Sequence, residues 1–326
     1  MVESSMKNKV FGVHISLERT IYAIVDIRGD ILVRDEFPTT DYPNINDFVS
    51  VLSERLVDMM LTNNCMESIR SIGISVSNAN PLTNCIENAV NLPWKGVIPL
   101  AAMIRDRVGL AVALANKPHA RAMGEWVFGA AHGMRNFVIV SIGNGLGSFI
   151  FSNGNPYLGS DGYAGEVGHS MLYPHGRRCN CGNDGCLEAY TAAKGIVTTA
   201  QELMAESNEP SLMRGVDNLS PRKISECCEQ GDALAIETMR RTGEHLGLGL
   251  ANYASLIDPE AFIFTGGVAR GGKWFLDAAE ETYNRYVFNN TKGKTRFLLS
   301  TLEDKDHDLL GASVLAWQVE EYSLFT

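Results

Sequence analysis

A cluster of cysteines is the feature of this sequence with the clearest chemical meaning. Cys179, Cys181 and Cys186 fall within eight positions, and His169 lies ten residues before the first of them. The intervening stretch is rich in Gly, Asn and Arg, which does not suit the interior of a helix or a strand. Three thiolates and one imidazole form a ligand set typical of a closed, tetrahedral structural zinc site. The spacing therefore predicts that His169, Cys179, Cys181 and Cys186 bind one Zn²⁺ ion.

Two alternatives stand beside this interpretation. His175 is closer to the cysteines than His169 and is a rival fourth ligand, but we favour His169 because residues 165–169 are typical of a turn that leads into a binding site. A loose, redox-sensitive thiol cluster is the second alternative. Arg177 and Arg178 are expected to stabilise thiolate charge. The role expected of the metal is to fold a loop that has little core of its own.

The elements that must position this loop alternate between strands and helices. The hydrophobic pattern predicts strands at 10–16, 20–27, 31–35, 69–76, 110–115, 136–142, 148–151 and 261–265, and helices at 46–62, 99–108, 187–205, 222–256 and 309–321. Such alternation predicts an α/β fold. The layout of the first strands is repeated from residue 136, which indicates two similar lobes with a cleft between them. We expect one lobe at 1–117 plus about 309–326, and the other at 118–308.

Composition narrows the class of partner. The chain has 326 residues and a net charge of −10, with no basic face suited to nucleic acid. No apolar run is long enough to span a bilayer, and the first ten residues lack the apolar core of an export signal. We therefore expect a cytoplasmic protein that neither enters a membrane nor binds nucleic acid directly.

Three blocks of the sequence resemble the ROK family of sugar kinases and sugar-responsive repressors. They are Gly165–His169, Cys179–Glu188, and Asp258-Pro259 followed by Phe262–Gly267. The resemblance extends over essentially the whole chain. It implies a two-lobed, actin-like, hexokinase-type (ribonuclease H-like) fold with a hexose bound between the lobes beside the zinc loop. It also implies a homodimer or a higher homo-oligomer.

The resemblance carries ligand roles to particular positions. Sugar hydroxyls would be contacted by Asn116, Glu166, His169 and Glu188, with His169 holding zinc through one ring nitrogen and meeting the sugar through the other. Nucleotide would be bound at two Gly turns, through Gly143, Asn144, Gly145, Gly147, Gly266 and Gly267.

Three departures from the family pattern bear on catalysis. The family's catalytic base is an Asp directly after the sugar-binding Asn, and this chain has Lys117 there. A protonated lysine does not accept a hydroxyl proton unless its pKa falls by several units. In the first phosphate turn, His14 replaces a magnesium-placing Asp, and Leu17 and Glu18 replace small residues. A third turn reads Ser77–Asn80, where Asn78 and Asn80 retain polar groups that suit a sugar.

These departures favour a sugar-binding protein that is derived from an ATP-dependent hexose kinase and has weak or no phosphotransfer. Its expected ligand is a hexose or an N-acetylhexosamine. The alternative is an active sugar kinase using ATP and Mg²⁺, in which another group such as His119 or Glu125 takes over. A DNA-binding repressor is the third hypothesis, and we disfavour it because only about nine residues precede the first strand, too few for a helix-turn-helix domain.

Overall fold

The computed structural model describes residues 7–89 and 91–319, which divide into two compact units. The first unit runs to His132 and also includes Leu158–Ala164 and the segment from Thr301. The second unit comprises Gly133–Tyr157 and Gly165–Ser300. The first unit thus extends past residue 117 and takes in the helix that follows it.

The first unit is built on a five-stranded sheet with the order β3-β2-β1-β4-β8. In chain order its elements are β1 (Lys9–Ile15), β2 (Arg19–Asp26), β3 (Ile31–Pro38), α1 (Ile45–Thr62), β4 (Ile69–Val76), β5 (Ala79–Asn80), β6 (Cys85–Glu87), β7 (Val97–Ile98), α2 (Leu100–Val108), β8 (Ala111–Ala115) and α3 (Lys117–Phe128). Strands β1, β4 and β8 run parallel, and β5 to β7 form a separate small sheet. The carboxyl ends of the three parallel strands therefore meet at one edge.

The second unit repeats this plan. Its elements are β9 (Phe137–Ile142), β10 (Leu146–Ser152), β11 (Asn155–Pro156), α4 (Glu188–Thr191), α5 (Ala193–Glu206), α6 (Pro221–Glu229), α7 (Ala233–Ile257), β12 (Ala261–Thr265), α8 (Lys273–Tyr286) and β13 (Arg296–Leu299). The sheet order is β11-β10-β9-β12-β13, which matches the first sheet strand for strand. Strands β9, β12 and β13 are parallel and β10 is antiparallel, as in the first sheet. The predicted duplication and the two-lobed actin-like α/β class are confirmed.

The last helix, α9 (Asp304–Gln318), packs on the sheet of the first unit. The contact is close because Gly73 has no side chain: a Cβ there would lie 1.8 Å from the Ala312 carbonyl oxygen. Alternation along β1 sends Phe11, Val13 and Ile15 into the core beneath α1, so that His14 lies on the α9 side. Two helical layers thus cover the two faces of this sheet.

Several sequence predictions about elements were wrong in detail. The single helix predicted at 222–256 is two helices, α6 and α7, because Asp232 caps a new helix by accepting the N–H of Ala235 at 2.9 Å. Helices α3 and α8 and the strands β5, β6, β7, β11 and β13 were not predicted. The final helix begins at Asp304 rather than Leu309, and the predicted residues 320 and 321 lie outside the described part of the chain. Among the helices of the described residues, none is long and apolar enough to cross a membrane.

Candidate metal and ligand sites

The predicted metal ligands converge in the second unit. One ligand atom from each of His169, Cys179, Cys181 and Cys186 lies within 4.8 Å of all the others. The Cys181 and Cys186 sulfurs are 3.6 Å apart, and Cys179 Sγ is 3.8 Å from His169 Nδ1. Tetrahedral zinc, with Zn–S near 2.3 Å and Zn–N near 2.0 Å, requires ligand separations of about 3.5 to 3.8 Å. The donor set and its spacing therefore fit a tetrahedral zinc ion.

The two buried thiols of the cluster, Cys179 and Cys186, need a cation to ionise. Burial raises the pKa of Cys179, and it raises the pKa of Cys186 to about 12. A thiol with such a pKa stays protonated at neutral pH unless a metal displaces the proton. The surroundings of Cys179 and Cys186 thus favour the protonated thiols, and a bound divalent cation would supply the missing positive charge.

Backbone pairing shapes the loop around these ligands. Cys179 donates its N–H to the Asn183 carbonyl at 2.9 Å, and Gly185 donates to the Arg177 carbonyl at 2.8 Å. Gly185 has φ of 78°, and a Cβ on it would lie 1.7 Å from the Tyr173 carbonyl oxygen. Only glycine fits at this position, directly before Cys186.

Two side expectations about the loop had different outcomes. His175 is exposed and is not among the converging ligand residues, so the geometry favours His169 over this rival. The expectation that Arg177 and Arg178 stabilise thiolate charge was wrong. Arg177 stacks on Tyr190, with its guanidinium carbon 4.8 Å from the ring centroid, and Arg178 pairs with Asp184 at 3.1 Å.

Glu166, His169 and Glu188, the predicted sugar contacts of this unit, lie together beside the metal ligands. Glu188 Oε1 is 3.7 Å from Cys179 Sγ, and its Oε2 accepts the N–H of Leu146 at 2.8 Å. Burial raises the pKa of Glu166, and the neighbouring Glu188 carboxylate raises it further, against the effect of His169. Two carboxyl groups and an imidazole therefore share one patch, with Nδ1 of His169 directed to the thiols.

A serine holds the turn that carries Glu166 and His169. Ser148 Oγ, on β10, accepts the N–H of Val167 at 3.0 Å and donates to the Gly165 carbonyl. Ser148 is almost fully buried, so this anchor is shielded from water. Sequence reasoning missed Ser148 because its role depends on strand β10 passing under the turn.

The two Gly turns predicted for nucleotide border one cavity of about 550 Å³ in the second unit. Gly143, Asn144 and Gly267 line it, together with residues of α6 and Arg270. The turns follow β9 and β12, so the cavity lies at the carboxyl edge of the parallel strands, the usual ligand position in such sheets. Gly147 instead lies within β10, paired with Ser141, while Gly145 and Gly266 complete the two turns. The volume is in the range of small-molecule sites.

At the corresponding edge of the first unit lie His14, Asn116 and Lys117. The register pairs His14 with Ser75 and Ser75 with Ala115, so β1, β4 and β8 end side by side. Asn116 caps α3 by accepting the N–H of His119 at 3.0 Å, and Lys117 is the first residue of that helix. The sequence-predicted sugar and base positions thus meet at the start of α3.

A buried ion pair lies beside Lys117. Arg121 binds Asp308 through two contacts, Nε to Oδ1 at 2.8 Å and Nη2 to Oδ2 at 3.1 Å. Burial works to raise the pKa of Asp308, but Arg121, His14 and Lys117 outweigh it and hold that pKa below its usual range. Burial lowers the pKa of His14 to about 4, so its contact with Asp308 at 3.7 Å involves a neutral imidazole at neutral pH. Sequence reasoning missed Arg121 and Asp308.

Other polar residues near this edge have structural roles. Asn80 is buried and donates its amide to the Asp161 carbonyl at 2.8 Å, whereas Asn78 is exposed with φ of 58°. Glu125 is fully buried and accepts the N–H of Ala130 at 2.7 Å, with His307 Nε2 3.3 Å away. The Asn80 side chain therefore holds the loop at Asp161, and the Glu125 carboxylate holds the chain where α3 ends.

Acid should destabilise the protein through its buried histidines. Burial lowers the pKa of His119 to about 3, below the value near 6.5 expected in the unfolded chain. Between pH 6.5 and about 3 the unfolded chain binds a proton that the folded protein does not, so His119 favours folding above this window and the protein loses stability as pH falls through it. For His119 alone, the unfolding free energy falls by about 2 kcal/mol between pH 7 and pH 5. Denaturant titrations at pH 7 and pH 5 give the unfolding free energy that is lost on acidification. We expect this loss to be smaller for His119→Leu than for the natural protein. If His119→Leu lost as much unfolding free energy as the natural protein, the low pKa inferred for His119 would be wrong.

Comparisons with known proteins agree with this architecture. A model of the ROK family matches residues 10–319. The chain is 30% identical over 318 residues to a glucokinase of Streptomyces coelicolor, spanning 94% of this chain and 96% of that protein.

Solved structures extend the likeness. A ROK family glucokinase from Streptomyces griseus, in complex with glucose and AMPPNP, matches with a TM-score of 0.77 and 29% identity over 95% of this chain and 100% of that one. A ROK family transcriptional regulator, a homolog of the Escherichia coli MLC protein, matches with a TM-score of 0.85 over 95% of this chain and 78% of that one. At 24% identity, this second likeness concerns the fold alone. The family match over nearly the whole described chain establishes that this protein belongs to the ROK family.

Proposed function

We propose that this protein binds a hexose or an N-acetylhexosamine and transfers phosphate to it weakly or not at all. The observation that carries the proposal is the charge at the start of α3. A cation, Lys117, occupies the position of the family's catalytic base, and the nearby carboxylate of Asp308 is bound by Arg121. Neither group is suited to accept the proton of a sugar hydroxyl.

The phosphate turn supports the same conclusion. Ser16 donates its N–H to the Arg19 carbonyl at 3.0 Å, and Ser16 Oγ accepts the N–H of Arg19 at 3.2 Å. These two N–H groups are used within the turn and are not offered to a phosphate. The exposed Leu17 and Glu18 between them add bulk and negative charge where a triphosphate would approach.

Sugar binding is supported by Glu166, His169 and Glu188. Glu166 and Glu188 each present carboxyl oxygens that accept hydroxyl hydrogen bonds. A zinc ion held through His169 Nδ1 would leave Nε2 for a sugar hydroxyl and fix the ring's orientation. The glucokinase of Streptomyces griseus binds glucose, which supports the same ligand class here. Cytoplasmic location and assembly into a homodimer or larger oligomer stay predictions.

An active ATP-dependent sugar kinase is the second candidate. The cavity of about 550 Å³ at the two Gly turns suits a nucleotide, and burial lowers the pKa of Lys117, the direction that favours a neutral amine base. The effect of Asp308 opposes this shift. The second candidate also draws support from relatives that are glucokinases.

Sugar binding is tested by calorimetry with glucose, mannose, N-acetylglucosamine and N-acetylmannosamine. We expect at least one sugar to bind, and Glu166→Gln to weaken it about tenfold or more, because a hydrogen bond to a charged group contributes about 1.5 to 3 kcal/mol. Glu281→Gln, an exposed residue of α8, is the matched control and should bind normally. The absence of binding to every sugar by the natural protein would refute the proposal.

A further inference from the structure

The turn between β9 and β10, which borders the cavity of the second unit, consists of Gly143, Asn144 and Gly145. Its own backbone is closed by a hydrogen bond from the Gly143 N–H to the Gly145 carbonyl at 2.9 Å. Two of its three residues are glycines, which restrict the backbone little. Contacts from neighbouring segments therefore decide how firmly the turn is held against the cavity.

The segment that follows the last metal ligand holds this turn at both ends. Glu188 Oε2 accepts the N–H of Leu146, the residue directly after the turn, at 2.8 Å. Ala193 donates its N–H to the carbonyl of Gly143, the first residue of the turn, at 2.9 Å. A hydrogen bond to a carboxylate is roughly twice as strong as one between neutral groups. The Glu188 carboxylate is therefore the stronger of these two supports.

The residue at position 145 leaves room for that carboxylate. A Cβ on Gly145 would lie 2.7 Å from Glu188 Oε2, closer than a carbon and an oxygen atom can approach without displacement. Gly145 does not have a positive φ, so the backbone conformation does not call for glycine here. Its role is to let the Glu188 side chain pass over the turn and reach Leu146.

The backbone that carries Glu188 is itself well held. Leu187 is fully buried and donates its N–H to the Ser170 carbonyl at 2.9 Å. It packs closely on α7, where a Cβ on Gly249 would lie 2.6 Å from Leu187 Cδ2. The Glu188 carbonyl accepts the N–H of Ala192 at 3.0 Å. The carboxylate is thus presented to the turn from a fixed backbone, which limits the entropy lost when it binds Leu146.

From these contacts we infer that Glu188 is a positioning residue for a nucleoside diphosphate or triphosphate bound in the cavity, and that it acts through the turn. A glycine turn after a parallel strand lets backbone N–H groups approach phosphate oxygens, provided that the turn keeps its shape. The family resemblance assigns Glu188 to the sugar, but its Oε2 is used on Leu146, which leaves Oε1 for a hydroxyl. The inference does not rest on sugar binding, and it holds whether or not phosphate is transferred.

Calorimetry with ADP, in the absence of any sugar, tests the inference. The natural protein should bind ADP, and Glu188→Ala should weaken this binding about tenfold or more, as expected for loss of a hydrogen bond to a charged group. Glu188→Gln should recover most of the affinity, because its amide oxygen accepts the same N–H. Glu281→Ala, which removes an exposed carboxylate of α8, is the matched control and should bind ADP normally.

Hydrogen exchange locates the effect. The Leu146 amide should exchange about tenfold or more faster in Glu188→Ala, because its charged acceptor is gone. The amide of Gly185, which donates to the Arg177 carbonyl in the metal loop, should exchange as before. Equal acceleration of both amides would show general loosening of the unit and would contradict a specific role in the turn.

The outcomes also separate this inference from the proposed function. Unchanged ADP affinity in Glu188→Ala, or no ADP binding by the natural protein, would overturn the inference and leave sugar binding intact. Weaker ADP binding in Glu188→Ala, beside a natural protein that binds no sugar, would support the inference and refute the proposed function. If Glu188→Ala does not fold, Glu188→Asp takes its place, since the shorter side chain does not reach Leu146.

Discussion

Cys181→Ser should release the bound zinc and lower the melting temperature by roughly 5 °C or more. The loop from His169 to Cys186 is held by backbone pairs, by the four ligand residues, and by Arg177, which donates to the Gly195 carbonyl and to Thr199 Oγ1 of α5 at 3.0 Å each. Removing one thiolate leaves three ligands, which bind zinc much more weakly, and the loop then loses the link that the metal makes between its two ends. Metal analysis of protein purified without added metal should fall from about one zinc per chain to near zero.

Cys181 is the informative position because it is exposed, whereas Cys179 and Cys186 are buried. Serine at an exposed site opens no cavity, so a loss of stability reports on the metal rather than on packing. Cys85→Ser, a partly exposed thiol outside the cluster, is the matched control and should keep both zinc and stability. Natural protein that contains no metal and is equally stable with a chelator would contradict the site.

Arg121→Met should destabilise the protein by about 3 kcal/mol, because it leaves the carboxylate of Asp308 buried without its main partner. Asp308 is only 9% exposed, and its two oxygens are both bound by Arg121. Lys117 lies near enough to stabilise the charge of Asp308 in part. We therefore expect a loss of unfolding free energy at the lower end of the range for a broken buried ion pair.

A double variant separates the ion pair from packing. Arg121→Met combined with Asp308→Asn removes both charges, and its unfolding free energy should recover by about half of the loss or more. Urea titrations of the two single variants and the double variant give the coupling directly. Losses that simply add would show that the two residues act independently and that their ion pair does not stabilise the fold.

The site residues that could be predicted from sequence are those whose partners lie close to them along the chain. His169 and the three cysteines lie within one loop, and their spacing alone indicates a metal. The start of α3 also carried a local signal, since Asn116 followed by Pro118 within the first turn is typical of a capped helix. That signal was not used, and α3 was missed.

The remaining features depend on contacts between distant parts of the chain. Arg121 and Asp308 are 187 positions apart, and neither has a neighbour in sequence that marks it as half of an ion pair. Ser148 acts by passing beneath the Gly165–His169 turn, which only the sheet reveals. The alternation of strands and helices predicted both sheets, but not the break before α7, because an apolar period continues across it.

Phosphate transfer is measured as ATP turnover with magnesium in the presence of hexoses and N-acetylhexosamines, and sugar binding is measured in parallel as protection against heat by the same sugars. We predict that at least one sugar raises the melting temperature while no appreciable phosphate is transferred. A Lys117→Asp variant, assayed in parallel, shows whether a carboxylate at that position restores any transfer. Robust turnover by the natural sequence would contradict the proposed loss of phosphotransfer and establish a working kinase in which Lys117 does not prevent catalysis.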